Sequence, residues 1–173
     1  MTTTTLGIAC IGSLDVATFA QLDEFADNIF TINAKVTKDR ANMFDETTVY
    51  HNVKNFEMTA TNASDLCPTN DCTFKFIHED SEGFTTNGVS DRSLDGVLKI
   101  TSQGKTKIFN LNGDLFILEE ENDPDGKVTK EVLEGTLRLS QGNDYYGGDE
   151  YDVNGTLTWN NANSGDLSLQ GVS

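Results

Sequence analysis

The sequence has few of the residues on which several classes of protein depend. Its 173 residues include only 12 lysines and arginines against 28 aspartates and glutamates, for a formal net charge of −16. Binding to nucleic acid or to an anionic membrane surface needs clustered cations, so we expect neither function. No run of about 18 apolar residues occurs, and the sequence therefore predicts no membrane-spanning helix.

Candidates for catalysis are equally scarce. The only histidines, His51 and His78, fall on probable core faces of strands, where a buried and hydrogen-bonded histidine is more common than a catalytic base. No Gly-x-Ser-x-Gly phrase, phosphate-binding loop or His-Glu-x-x-His motif is present. The two histidines and the pair Cys67 and Cys72 lack the spacing of a zinc finger. We therefore expect a protein that is not an enzyme.

The N-terminal segment has three interpretations. Residues 1–20 are moderately apolar and end in Thr18-Phe19-Ala20, which resembles a signal-peptidase site. One alternative is a short helix from Ser13 through Asn28, capped by Ser13, and the other is an additional strand. Under the first interpretation, a single β domain occupies residues 21–173 and functions outside the cell or at its surface.

The cysteines and two glycosylation sequons favour export. Cleavage after residue 20 would remove Cys10 and leave Cys67 and Cys72, which flank a turn-forming quartet. We predict a disulfide bond between these two cysteines, closing a small loop. Asn62 and Asn154 each begin an Asn-x-Ser/Thr sequon, so both are candidates for glycosylation.

Alternation of apolar and polar residues dominates the chain after residue 29. Probable strands lie in 28–36, 49–60 and 72–79, and a change of parity in the second predicts a bulge near Lys54-Asn55. A recurring phrase then follows (apolar, polar, glycine, any residue, leucine), and its glycines are Gly96, Gly113, Gly135, Gly155 and Gly165. The sequence predicts an all-β fold, an antiparallel meander of about eight strands that forms a barrel or a two-layer sandwich.

The glycines of this phrase face the core if the strands alternate regularly, so we predict that they form one row across neighbouring strands. Pairing Gly96 with Gly113 centres a turn on Gly104-Lys105, and pairing Gly113 with Gly135 centres one on Pro124. Such a row would let the sheet bend sharply or would accommodate large side chains from the opposite layer. The alternative is a curved sheet with no further role.

An acidic segment at 119–126 is the best candidate for a metal site, and calcium is the metal that its carboxylates favour. It is not an EF-hand, because Val132 occupies the position of the last ligand. Alternate turns of a meander lie at the same end, which predicts convergence of Glu120, Asp123, Asp125, Asp80 and Asp91. The alternative is an acidic hairpin tip in solvent.

Two short segments resemble known groups of proteins. Residues 164–172, SGDLSLQGV, resemble the Gly-Asp-Leu-x-Ile-x-Gly-Val phrase of YceI-like barrels, which are lipocalin-shaped and bind apolar lipids. The resemblance implies a barrel that carries an apolar ligand. Residues 17–25, ATFAQLDEF, are similar to a segment of small exported proteins of archaea, which again implies export.

Three functions are compatible with these patterns. The first is an extracellular structural or surface subunit that associates with copies of itself, as the acidic, polar exterior favours. The second is a β-barrel that binds a small apolar ligand along its glycine row. The third is a calcium-stabilised sandwich that binds a glycan.

Overall fold

The computed structural model describes residues 28–60, 65–69, 71–144 and 146–172. Within these ranges the chain forms strands and turns but no helix. The strands are β1 (Asn28–Ala41), β2 (Thr48–Ala60), β3 (Thr73–Ile77), β4 (Phe84–Asn87), β5 (Asp91–Ser102), β6 (Lys105–Asn122), β7 (Val128–Ser140), β8 (Asp149–Asn161) and β9 (Ser164–Val172). The predicted all-β fold is confirmed. The predicted signal segment, the alternative strand and residues 13–27 of the alternative helix lie outside the described ranges. Asn28, the last residue of that predicted helix, begins β1.

Eight of the strands close into an antiparallel barrel, and β3 is an extra strand in its wall. The order around the barrel is β5-β4-β2-β1-β9-β8-β7-β6, with β6 pairing back to β5. One edge of β5 pairs with β4 near its start and with β3 further along, so these two short strands lie end to end. Of the two predicted architectures, the barrel is therefore the one that forms.

The two ends of the barrel differ in the loops that form them. The end that we call the upper end carries the loops 42–47, 88–90, 123–127 and 162–163. The lower end carries the turn at 103–104 and the loop at 141–148. Because neighbouring strands are antiparallel, residues far apart in sequence meet at each end.

The middle of the barrel is filled by side chains. Period-two alternation directs one face of each strand inward, and branched aliphatic residues and phenylalanines occupy those positions. Those with less than 2% exposure include Phe30, Ile32, Val36, Phe84, Leu94, Leu98, Leu111, Leu133, Leu137, Leu157, Leu167 and Leu169. An eight-stranded barrel has an interior just wide enough for such packing. These side chains therefore exclude a ligand from the middle of the barrel axis.

The predicted glycine row is wrong in register. Gly113 lies opposite Leu94, two residues from Gly96, and Gly135 lies opposite Leu115, two residues from Gly113. Gly155 lies opposite Leu133 of β7, again two residues from Gly135. On its other side it lies opposite Leu169 of β9, four residues from Gly165. The glycines therefore follow a diagonal across the sheet instead of a row along the hydrogen-bonding direction.

The position of one turn explains the first offset. Ser102 pairs with Lys105, so the turn consists of Gln103 and Gly104 and not of Gly104 and Lys105. Both turn residues have positive φ, 52° and 76°, as a type I′ turn requires. Moving a turn by one residue along the chain shifts the register of the two strands that it joins by two residues. The next turn is displaced in the same way, because Asn122 pairs with Val128 and centres it on 125 instead of Pro124.

Two of these glycines leave space for aromatic rings of neighbouring strands. A β-carbon at Gly96 would lie 2.6 Å from the ring of Phe76, and one at Gly165 would lie 3.0 Å from the ring of Trp159. Large side chains therefore do pack against these two glycines, but the predicted origin of those side chains is wrong. The rings come from adjacent strands and not from an opposite layer.

Side chains close the wall where β2 runs beside β3. The Val53 N–H donates to His78 Nε2 at 3.1 Å, and the rings of Phe56 and Phe76 stack at 4.8 Å between centroids. The predicted bulge lies here, because the β1–β2 pairing changes register and Asn55 adopts a φ of 55°. The bulge returns the residues after Asn55 to the inward face of β2.

Candidate ligand-binding site at the upper end of the barrel

A cavity of about 670 Å³ lies at the upper end of the barrel. Inward-facing positions on four different strands supply its inner lining: His51 on β2, Arg92 on β5, Glu131 on β7 and Trp159 on β8. Lysines, asparagines and threonines of the surrounding strand ends and loops complete it. Small-molecule sites commonly combine such a concave surface with a few convergent polar groups.

Arg92 and Glu131 form an ion pair inside the barrel. They are 8% and 3% exposed, and the guanidinium faces both carboxylate oxygens, with Nε–Oε1 at 2.9 Å and Nη2–Oε2 at 3.3 Å. Arg92 Nη1 also donates to the backbone carbonyls of Gly88 and Asp91. This bidentate arrangement with additional hydrogen bonds is what a buried ion pair needs to offset its desolvation.

The ion pair also fixes the position of the only tryptophan in the chain. Trp159 Nε1 donates to Glu131 Oε2 at 2.9 Å, and the missing side chain at Gly165 makes room for the indole. The ring is half-buried and lines the cavity. An indole held in this way offers an apolar surface to a bound molecule while its polar edge is already paired.

His51 is the buried polar group of the cavity that lacks a partner. It is 2% exposed, and its ring lies 5.7 Å from Phe84 and 5.8 Å from Trp159 between centroids. Neither Nδ1 nor Nε2 has a hydrogen-bond partner in the described part of the chain. Leaving such a group unpaired costs about 1–3 kcal/mol, so a molecule that pairs with it would gain affinity.

Burial lowers the pKa of His51 to about 4, and the positive charges of Lys38 and Arg92 act in the same direction. The Glu131 carboxylate opposes this shift of the pKa. At neutral pH the ring is therefore uncharged and carries one N–H donor and one acceptor nitrogen. The sequence-based expectation of a buried histidine on a core face is confirmed at this position, although the expected hydrogen-bond partner is not among the described residues.

The depressed pKa predicts a loss of stability in acid. The unfolded chain binds a proton at His51 near pH 6.5 and the folded protein only near pH 4, so stability is lost as the pH falls between these values. We expect about 2 kcal/mol of destabilisation at pH 5 from this group. The measurement is urea unfolding of the wild type and His51→Gln at pH 7.5 and pH 5. The variant should lose about 2 kcal/mol less than the wild type over this interval, and an equal loss in both proteins would contradict the assignment.

The residues predicted to bind calcium do not form a cluster in the described ranges. Glu120, Asp123 and Asp125 lie at the end of β6 and in the following turn, Asp91 begins β5, and Asp80 lies in the loop between β3 and β4. In the part of the chain that the structure describes, no group of three histidine, cysteine or acidic residues is placed to hold a metal ion. The calcium site remains a prediction without an assembled set of ligands.

Asp123 has a structural role in its turn. Its Oδ1 accepts the backbone N–H groups of Asp125 and Lys127, each at 2.9 Å, as in an Asx turn. Asp123→Asn keeps an acceptor oxygen there, whereas Asp123→Ala removes it. We expect the alanine variant to lose about 1 kcal/mol of unfolding free energy in urea and the asparagine variant to lose less. Equal losses would show that these two hydrogen bonds contribute nothing.

Three other predicted site residues, Cys67, Cys72 and Asn154, lie away from the upper cavity. Cys67 and Cys72 form the predicted disulfide, with their α-carbons 5.8 Å apart, and Cys72 lines a smaller cavity of about 410 Å³ at the lower end. Asn154 is exposed on the outer face of β8, which suits a glycosylation acceptor. Asn62 lies outside the described residues.

Arg92, Glu131 and Trp159 were not predicted from the sequence as residues of a site. The sequence pattern does indicate the charged pair Arg92 and Glu131. Each of these residues alternates with outward-facing residues and shares the inward face of its strand with residues that are otherwise apolar. A charged residue at such a position is rarely buried without a partner. Two inward-facing charges of opposite sign therefore point to an internal ion pair.

Comparison of the chain with protein-family models, with curated proteins and with solved structures gave no match. The resemblance to YceI-like barrels and to exported archaeal proteins therefore rests on the two short segments alone. In the described residues, no helix has the length and apolarity to cross a membrane.

Proposed function

We propose that the protein is an exported, non-enzymatic binding protein that holds a small molecule in the cavity at the upper end of its barrel. The observation that carries this proposal is His51, a buried side chain that lines the cavity with both ring nitrogens unpaired in the described structure. The disulfide between Cys67 and Cys72 supports a location outside the cell, where disulfides persist.

The location of the site differs from the expectation of an apolar ligand along the glycine row. The register of that row is wrong, and buried leucines fill the middle of the barrel. The upper cavity has space, polar groups and the indole of Trp159. These features favour a ligand with polar and apolar parts over a purely apolar lipid.

Intrinsic fluorescence tests the proposal, because Trp159 is the only tryptophan and reports on the upper cavity alone. Titration with small aromatic fragments that do not absorb at the excitation wavelength should change its emission saturably. His51→Phe keeps a ring but removes both nitrogens, so it should weaken binding. The matched control is Tyr151→Phe in the lower cavity, which should bind as the wild type does. If no fragment of any charge changes the emission, the proposal fails.

Self-association is a second candidate function, supported by exposed apolar side chains at the upper end. Met43, Phe44 and Val89 are each at least 85% exposed. Their two loops lie side by side, since Gly88 N–H donates to the Thr47 carbonyl at 2.9 Å. Exposed apolar groups brought together in this way are typical of contact surfaces. Native mass spectrometry should detect oligomers that Phe44→Ser abolishes, and a monomer at all concentrations would exclude this function.

A further inference from the structure

We propose that the ligand of the upper cavity is a small organic anion, with a carboxylate or similar acidic group attached to a flat apolar part. This inference rests on the proposed function, since it names the class of molecule that the same cavity binds. It follows from the charges that surround the cavity and from the apolar surface beside them.

The charges around the cavity are unusual for so acidic a protein. The chain has 28 acidic residues against 12 basic ones, yet the cavity is lined by three basic residues, Lys38, Arg92 and Lys127, and by two acidic residues, Asp123 and Glu131. A lining with the composition of the whole chain would be predominantly negative. The upper cavity is therefore a local exception, and its sign favours anions.

Both acidic groups of the lining already have partners. Glu131 is paired with Arg92 and also accepts from Trp159, and Asp123 accepts two backbone N–H groups of its turn. Lys38 and Lys127, by contrast, make no ion pair with any residue in the described ranges. Two ammonium groups are thus left to attract a negative charge in the cavity.

His51 indicates that the positive charge reaches the inner part of the cavity. Lys38 and Arg92 each oppose protonation of its ring more strongly than Glu131 favours it, so the combined field of these three groups at the ring is positive. The neutral ring still offers an N–H group, which can donate to a carboxylate oxygen. Arg92 contributes charge but few hydrogen bonds, since its nitrogens are engaged with Glu131 and two backbone carbonyls.

The apolar part of the ligand is inferred from the remaining lining. Trp159, Val49 and Val128 line the same cavity. The indole N–H is already paired with Glu131, so the ring is available for apolar contact. An aromatic or other flat group beside it would stack, while its acidic group lies toward the lysines and His51.

Three probes of similar shape and different charge test the sign of the ligand: benzoate, benzyl alcohol and benzylamine. Titrated against Trp159 fluorescence in the full-length protein, benzoate should bind about tenfold more tightly than benzyl alcohol, and benzylamine most weakly. Added salt should weaken benzoate and leave benzyl alcohol nearly unchanged. Lys38→Gln and Lys127→Gln should each reduce the preference for benzoate, whereas Lys107→Gln at the lower cavity should not.

The outcomes separate this inference from the proposed function. If benzyl alcohol binds as tightly as benzoate, or benzylamine binds best, the anion is wrong but the cavity still binds small molecules. If none of the probes binds, the inference is overturned; if other uncharged or cationic fragments also fail, the proposed function falls with it. A benzoate preference that survives replacement of both lysines would also overturn the inference, since those charges are its basis.

A second readout follows the protonation of His51 directly. The charged residues that line the cavity around this ring are the basic Lys38, Arg92 and Lys127 and the acidic Glu131 and Asp123. Lys38 and Arg92 lower the pKa of His51, and Glu131 raises it. A bound anion adds negative charge, so it should raise the pKa of His51 and benzoate should bind more tightly as the pH falls from 7 to 5. NMR titration of the two histidine rings should show the shift at His51 alone, with His78 as the internal control. An unchanged His51 titration with benzoate bound would contradict the proposed position of the anion.

Discussion

Replacing Glu131 by alanine should destabilise the protein by about 3–5 kcal/mol. The substitution leaves Arg92 buried at 8% exposure without its counter-ion, and it removes the acceptor of the Trp159 indole. Removal of one member of a buried ion pair is costly because the remaining charge cannot recover its hydration. Since domains are typically stable by about 5–15 kcal/mol, this single change approaches the limit of what the fold tolerates.

A second pair between β7 and β8 provides the matched control. Arg138 and Glu150 are joined at 2.5 Å, but Glu150 is 46% exposed. Solvent screens such a pair, so Glu150→Ala should cost less than about 1 kcal/mol. Urea unfolding of the two alanine variants measures the difference. Similar losses would mean that the buried pair contributes no more than a surface pair, and its role in the cavity wall would need revision.

Replacing Gly155 by alanine should cost about 3 kcal/mol, at the upper limit of ordinary overpacking. A β-carbon at this position would collide with the backbone carbonyl of Ser168 and would lie 2.9 Å from the α-carbon of Leu169. Backbone atoms of a neighbouring strand cannot rotate away as a side chain can. The strands β8 and β9 would therefore have to separate, which weakens their hydrogen bonds.

Gly113 belongs to the same recurring phrase and serves as the control for Gly155. A β-carbon there would lie 3.3 Å from the Leu94 carbonyl oxygen, a close contact that a small adjustment relieves. We expect Gly113→Ala to cost under about 1 kcal/mol, since loss of glycine flexibility partly offsets the contact. The measurement is urea unfolding of both variants. Equal costs would show that the approach of β8 to β9 is not what requires glycine at 155.

Local features of the fold could be predicted from the sequence because they depend on residues that are close in the chain. Alternation identified the strands except the short β4, which lies in a segment predicted as a loop. The parity change identified the bulge at Asn55, and the turn quartet between Cys67 and Cys72 identified the disulfide. The register of the glycine-containing strands could not be obtained in the same way. It depends on Gln103 adopting a positive φ, which is uncommon for a residue other than glycine.

The candidate site was harder to predict because barrel closure assembles it. Arg92 on β5 and Glu131 on β7 are separated by the whole of β6, and His51 lies on β2 beyond β4. The alternation in the sequence shows that these residues point inward. Whether they lie at the same height in the barrel depends on the register of every pair of strands between them. The predicted metal site was based on the number of acidic residues in 119–126. The candidate site instead depends on single buried residues of separate strands, His51, Arg92 and Glu131.

The most direct test of the proposed binding site is to locate a bound fragment on the protein by NMR. With benzoate added to the isotope-labelled full-length chain, we expect saturable shifts at the Trp159 indole N–H, at the His51 ring and at backbone amides of 127–131. Signals of Tyr151 and Phe109, which line the lower cavity, should remain unchanged. Shifts confined to the lower cavity, or spread weakly over the surface without saturation, would contradict the claim that the upper end of the barrel is a binding site.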